Sequence, residues 1–98
     1  MRTEAWKDTE RVIAKKLGGK RLGPRGEASA DVIAPGLCVQ CKHRQTLPGW
    51  LKKAMKQAIE AAKKEELPIA VIHQHLERHD DDLVIMRFRD FQRLYHGE

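Results

Sequence analysis

Large aromatic side chains are scarce: two Trp, two Phe and one Tyr serve 98 residues. Few rings are available to fill an interior, so a thin core is expected. One domain over residues 1–98 fits this length, near the size at which a partner helps to bury apolar surface. Long apolar runs are also missing. No stretch approaches the roughly 20 residues of a membrane span, and Met1-Arg2-Thr3-Glu4 lacks the apolar centre of a secretory signal. A cytoplasmic chain that does not enter a membrane is the expectation. Cysteine is limited to Cys38 and Cys41. Three residues apart on an expected strand, they point to opposite faces, which argues against a disulfide and against half of a zinc site. Both read as reduced, mostly structural thiols.

Charge is abundant and unevenly spread. Residues 1–64 carry 15 Lys or Arg against 6 Asp or Glu, a net of +9, and residues 65–98 carry 4 against 8, a net of −4. A basic front with an acidic rear suits a polyanionic partner, most simply nucleic acid. A solvated lysine-rich surface would give the same count.

Thr3 to Leu17 reads as a first helix, with Thr3 as its cap and Gly18-Gly19 as its stop. Trp6, Ile13 and Leu17 mark its apolar stripe. Glu10 is four residues after Trp6 and three before Ile13, so it falls on that stripe. A carboxylate facing a core is costly unless paired or bound to a metal; at the stripe edge it would instead reach solvent or a nearby Lys. Gly18 to Ser29 reads as a loop, with a short strand at Lys20 to Leu22. Its flexible backbone and its cations Lys20, Arg21 and Arg25 suit phosphate contact, although the glycine spacing matches no nucleotide-binding loop. Helix Gly49–Lys64 shows an apolar stripe of Leu51, Ala54, Met55, Ala58, Ile59 and Ala62, with Lys52 and Lys53 off it. Leu67 to His73 reads as a buried strand, giving a strand–helix–strand unit compatible with parallel pairing. Leu83 to Phe88 reads as the last strand, and Asp90 as the cap of a short helix through Tyr95. His73, His75, His79 and the Asp80–Asp82 run match no metal-ligand spacing and read as a loop.

Between these lies the most informative stretch, Ala30 to Arg44. Two short strands flank a Pro35-Gly36 turn. Ala34 then pairs with Leu37, and Asp31 falls opposite Gln40, unless a bulge shifts the register. Alternation puts Gln40 and Lys42 on one face and Leu37, Val39 and Cys41 on the other. An acid, an amide and an amine would thus meet on one patch of sheet. Phosphodiester hydrolysis needs a divalent cation held by oxygen, an activated water and stabilisation of negative charge. Asp31 can bind the metal, and Gln40 can offer an amide oxygen. Cys41 can offer its carbonyl. Glu10 can bind the metal directly or through water, and Lys42 can orient the water and stabilise charge.

Asp31, Gln40-Cys41-Lys42 and the earlier helical Glu10 resemble the PD-(D/E)XK nuclease superfamily. Within it, the small size, the Gly/Arg/Ser loop before Asp31 and the basic helix look most like the Hjc-type archaeal and phage Holliday junction resolvases. The Val-Gln-Cys-Lys run is similar to the QxK variant of Mrr-type restriction nucleases. The resemblance spans roughly residues 4–74. It implies an α/β, restriction-endonuclease-like core: a central mixed sheet of about four to five strands flanked by helices. It implies Glu10, Asp31, Gln40 and Lys42 as catalytic residues, with Glu10, Asp31, Gln40 and Cys41 around Mg²⁺, which Mn²⁺ would replace. DNA would be held by Lys20, Arg21, Arg25, Ser29, Arg44, Lys52 and Lys53. The implied enzyme is a homodimer in a prokaryotic or phage-infected cell, making paired nicks in branched DNA. Most resolvases have Glu where this chain has Gln40. Two alternatives stay open: another nuclease of the superfamily acting on flaps, repair intermediates or plain duplex DNA, and a DNA-binding protein of the same fold with weak cleavage.

Overall fold

The computed structural model describes residues 5–22 and 30–97. The chain divides into two compact units, Met1–Gln45 and Thr46–Glu98. Thr3, Arg25 and Ser29 lie outside the described residues.

The first unit is a helix on a three-stranded sheet. Helix α1 (Ala5–Leu17) is followed by β1 (Lys20–Arg21), β2 (Val32–Ala34) and β3 (Leu37–Val39), with β2 in the centre and both pairings antiparallel. The helix stops where the glycine pair predicts. Gly18 takes φ +70°, its N–H donates to the Lys15 carbonyl, and the Gly19 N–H donates to the Ala14 carbonyl. This is the paired 5→2 and 6→1 pattern of a left-handed glycine cap. Gly19 is needed for a second reason. A Cβ there would meet the Ile33 carbonyl oxygen at 1.9 Å, so the chain can pass this close to β2 only without a side chain.

The hairpin forms as expected, with Ala34 facing Leu37 and Val32 facing Val39. Proline at the first turn position excludes the turn types that need positive φ there. Gly36 takes the positive value instead, φ +75°, as a type II turn requires. Helix α1 packs against β1 and β2. It buries Glu10, Ala14 and Leu17, and beneath them Ala30 and Val32 are buried too. Full burial of a side chain such as Leu17 or Val32 contributes about 1.5–3 kcal/mol. Trp6, expected on the inner stripe, is 42% exposed. Its ring instead lies near two cations, Lys7 Nζ at 5.4 Å and the Arg21 guanidinium at 5.7 Å from the centroid.

The second unit contains α2 (Gly49–Ala61), β4 (Ala70–Ile72), a 3₁₀ turn at His79–Asp81, β5 (Leu83–Ile85) and α3 (Phe88–His96). Helix α2 packs against β4. Here the expected strand–helix–strand unit does not form a parallel pair. Among the described residues β4 pairs with β5 alone, antiparallel, with Ile72 facing Leu83. The described strands thus make two small antiparallel sheets, of three and two strands, where one mixed sheet was expected. An antiparallel partner needs only a loop to reach, whereas a parallel one needs a long crossover. Strand β5 also ends earlier than expected. Phe88 opens α3, so the helix begins two residues before Asp90. Asp90, expected as its cap, sits in the first turn and accepts a 2.9 Å hydrogen bond from Arg87 Nε.

Candidate functional site

Asp31 is the most firmly held of the residues singled out from sequence. It sits just before the central strand. Its N–H donates to the Val39 carbonyl at 2.8 Å, and its carbonyl accepts from the Leu22 N–H at 2.9 Å. Val39 already faces Val32 across the hairpin, so Asp31 and Val32 together oppose one residue, the two-against-one pattern of a β-bulge. The carboxylate is held as well, since Asp31 Oδ2 accepts the Cys41 N–H at 2.8 Å. This side chain continues the pairing beyond the end of β2 and draws the Gln40–Lys42 tripeptide against it.

A second anchor holds the residue that follows the tripeptide. Thr9 on α1 donates its hydroxyl proton to the Ala5 carbonyl, 3.1 Å away, and its oxygen lies 2.9 Å from His43 Nδ1. A hydroxyl has one proton to give, so His43 Nδ1 is the donor in the second bond. Lys42 therefore lies between Cys41, fastened to Asp31, and His43, fastened to α1.

Glu10 is buried, as the stripe predicted, and it is paired. Arg21 Nε donates to Glu10 Oε1 at 2.6 Å, with side-chain exposures of 22% and 7%. The signal for this partner lay in the alternation of β1, which turns Lys20 outward and Arg21 toward the helix. Arg21, expected to contact DNA, is thus engaged with Glu10. A carboxylate can accept about four hydrogen bonds over two oxygens, so one guanidinium contact leaves Glu10 with further acceptor capacity.

The two carboxylates converge on a third residue. The half-buried Cys41 thiol is pushed above its ordinary value, first by burial, then by the negative charge of Asp31, then by that of Glu10. Cys41 was expected on the face away from Asp31. The bulge changes which side chains share a face, and Cys41 now feels both acids. Gln40 and Lys42 alternate with it and are exposed. The charges of Asp31 and Glu10 thus both act on Cys41, Arg21 engages Glu10, and Gln40 and Lys42 lie at the solvent side of the same tripeptide. Lys20 and Arg44 are exposed in the first unit, Lys52 and Lys53 on α2 in the second. Cys38 and Cys41 are both free thiols.

The atoms expected from sequence to ligate, two carboxylates, a backbone carbonyl and a side-chain amide, are all oxygen, the kind that Mg²⁺ takes. Among the described residues, however, Glu10, Asp31 and Cys41 do not bring their ligand atoms within 4.8 Å of one another.

Sequence reading took His73, His75, His79 and the Asp80–Asp82 run for a loop, and the structure groups three of these residues. His73, His79 and Asp82 meet at the end of the β4–β5 pair, their ligand atoms within 4.8 Å of one another. The signal was available in the register: with Ile72 opposite Leu83, His73 falls opposite Asp82. Expecting β4 to pair elsewhere concealed it.

No helix among the described residues is long and apolar enough to cross a membrane. No family model matches the chain, and neither the curated proteins nor the solved structures provide a significant match to it.

Proposed function

We propose that the first unit carries the metal site of a Mg²⁺-dependent DNA endonuclease, with four-way junctions as its leading substrate. The observation that carries this reading is Asp31, held through both its backbone and its carboxylate against the Gln40–Lys42 tripeptide, with Glu10 buried on the helix of the same unit. The reading draws support from the order helix, Asp31 strand and Gln40-Cys41-Lys42 strand in this unit, the order expected of the first half of a restriction-endonuclease-like core.

Asp31 and Glu10 would hold the cation, with the Cys41 carbonyl and the Gln40 amide oxygen as further ligands. A bound Mg²⁺ would supply charge to polarise the scissile phosphate and to make an attacking water more acidic. The Cys41 N–H keeps the Asp31 carboxylate in one orientation, which lessens the reorganisation needed when DNA arrives. Arg21 holds Glu10 in place. Lys42 Nζ, on the exposed side of the tripeptide, would donate hydrogen bonds to a phosphate oxygen or hold the water whose proton must leave. Lys20 and Arg44, with Lys52 and Lys53 of the second unit, would contribute sequence-independent phosphate contacts and a salt-dependent affinity. A homodimer would supply two such sites for symmetric nicks in a two-fold junction.

A second reading has its own support. Glu10 already has Arg21, and Asp31 already has the Cys41 N–H. These pairings would also serve a DNA-binding protein of the same fold that cleaves weakly or not at all.

One gel separates the readings. Labelled four-way junction, splayed arm and plain duplex are each incubated with Mg²⁺ or with EDTA. Paired symmetric nicks in the junction, dependent on Mg²⁺ or Mn²⁺, are expected. Cleavage of all three substrates would replace the junction assignment with a broader nuclease. Binding without any metal-dependent product would overturn the enzyme reading.

A further inference from the structure

The second unit holds a differently composed cluster, independent of the nuclease reading. His73 follows β4 and Asp82 precedes β5, one step beyond the Ile72–Leu83 pair. The 3₁₀ turn brings His79 to the same place, and the Asp82 N–H donates to the His79 carbonyl at 3.0 Å. Asp82 uses both carboxylate oxygens: Oδ1 lies 2.6 Å from His73 Nδ1 and Oδ2 lies 3.2 Å from His79 Nδ1. The two imidazoles stack with centroids 4.1 Å apart and 27° between planes.

We propose that His73, His79 and Asp82 form a binding site for a divalent cation of borderline softness, with Zn²⁺ as the fitting ion. Two imidazoles and one carboxylate are the ligands such ions take, whereas Mg²⁺ prefers all-oxygen sites. In a tetrahedral site with bonds of about 2.0–2.1 Å, neighbouring ligand atoms lie ~3.4 Å apart. The His79–Asp82 separation of 3.2 Å is close to that edge, and the His73–Asp82 separation of 2.6 Å must open by less than ~1 Å. The adjustment is available to the imidazoles. The His73 side chain, which must shift, is 35% exposed and that of His79 82%, while the Asp82 side chain, 12% exposed, acts as the fixed anchor. Asp80 and Asp81 in the same turn add negative charge nearby. Three protein ligands leave a fourth position for water or an external ligand, the composition of an open rather than a closed zinc site.

The test is Zn²⁺ titration of the full chain, followed through its imidazole ¹⁵N resonances and by competition with a chromophoric chelator. One equivalent is expected to shift the His73 and His79 rings first. Replacing exposed His79→Gln should weaken binding at least tenfold with an unchanged far-UV spectrum, and Asp82→Asn should do the same. If Asp82→Asn disturbs the hairpin, the wild-type ring shifts and His79→Gln decide. The same affinity in His79→Gln, or first shifts at His43, His75, His96 or the Cys38 and Cys41 thiols, would overturn the proposal.

Discussion

Each unit keeps carboxylates out of full solvent, and each satisfies them with a different kind of partner. In the first, Glu10 is held by the Arg21 guanidinium and Asp31 by the Cys41 backbone N–H. Neither donor loses its proton in the ordinary pH range. In the second, Asp82 is held by two imidazoles, whose ring nitrogens are themselves common metal ligands. The difference decides what can replace the partner. A hard cation can join the oxygen ligands of the first unit while Arg21 stays where it is. In the second, a softer cation can take the place of the imidazole protons themselves.

Apolar burial differs in the same direction. The buried aliphatic side chains Ala14, Leu17, Ala30 and Val32 belong to the first unit, whereas among the described residues of the second the buried apolar side chain is Pro68. Across the β4–β5 pair, Val71, Val84 and Leu83 are 57%, 54% and 64% exposed. The carboxylates of the first unit are therefore built into a core, and Asp82 sits at the end of a lightly covered hairpin.

The largest expected effect comes from removing one charge of the first unit without changing its shape. Asn at position 31 keeps an oxygen to accept the Cys41 N–H. Asp31→Asn should nonetheless lower cleavage about a thousandfold, the scale of several kcal/mol of transition-state stabilisation, while junction affinity in gel shifts holds or rises. Equal cleavage by variant and wild type would sink the assignment. Lys42→Ala should lower the rate about a hundredfold with binding kept.

Next in size is the loss of a permanent partner. Arg21→Met leaves Glu10 buried and unpaired, at a cost of about 3 kcal/mol read from denaturant midpoints. Adding Glu10→Gln should recover most of it. An unchanged midpoint in Arg21→Met would mean that the pair contributes nothing. The equivalent loss in the second unit, His79→Gln, should leave stability nearly untouched, because that ring is exposed.

The smallest effect reports the electrostatics directly. The Cys41 thiol is raised, so its neutral form is the one favoured in the folded chain. Its contribution to stability is full below the ordinary thiol value of about 8.5 and is lost as pH rises through the raised one. Alkylation by iodoacetamide at mildly alkaline pH should be slower at Cys41 than at exposed Cys38. Asp31→Asn should speed Cys41 severalfold and leave Cys38 alone. Unequal rates that ignore the substitution would show that burial alone acts on the thiol.

Much of the first unit was legible in the sequence because its signals are local. Gly18-Gly19 and Pro35-Gly36 demand backbone conformations that few other residues adopt, and they placed the helix stop and the hairpin turn. The inward Glu10 followed from 3.6-residue spacing. Its partner did not, since a pairing between helix and strand depends on which face of a two-residue strand turns inward. The facing of Cys41 was missed for a related reason. A bulge at Asp31 changes the alternation by one residue, and composition does not announce it. In the second unit the strands were recognised but not their pairing, because a short apolar run such as Pro68-Ile69-Ala70-Val71-Ile72 suits either neighbour. The His73–His79–Asp82 cluster became visible only once the antiparallel register was known. The start of α3 was missed because Asp is favoured both at a helix cap and within the first turn.

The central claim is that Asp31 and Glu10 form a site for a hard divalent cation. Titrating ¹⁵N-labelled protein with Mg²⁺ tests it without DNA or catalysis. The account predicts saturable shifts of the Asp31 and Cys41 amides, absent in Asp31→Asn, with the His73 and His79 rings unmoved. Asp31 and Cys41 amides that stay in place up to millimolar Mg²⁺ in the folded wild-type protein would contradict it.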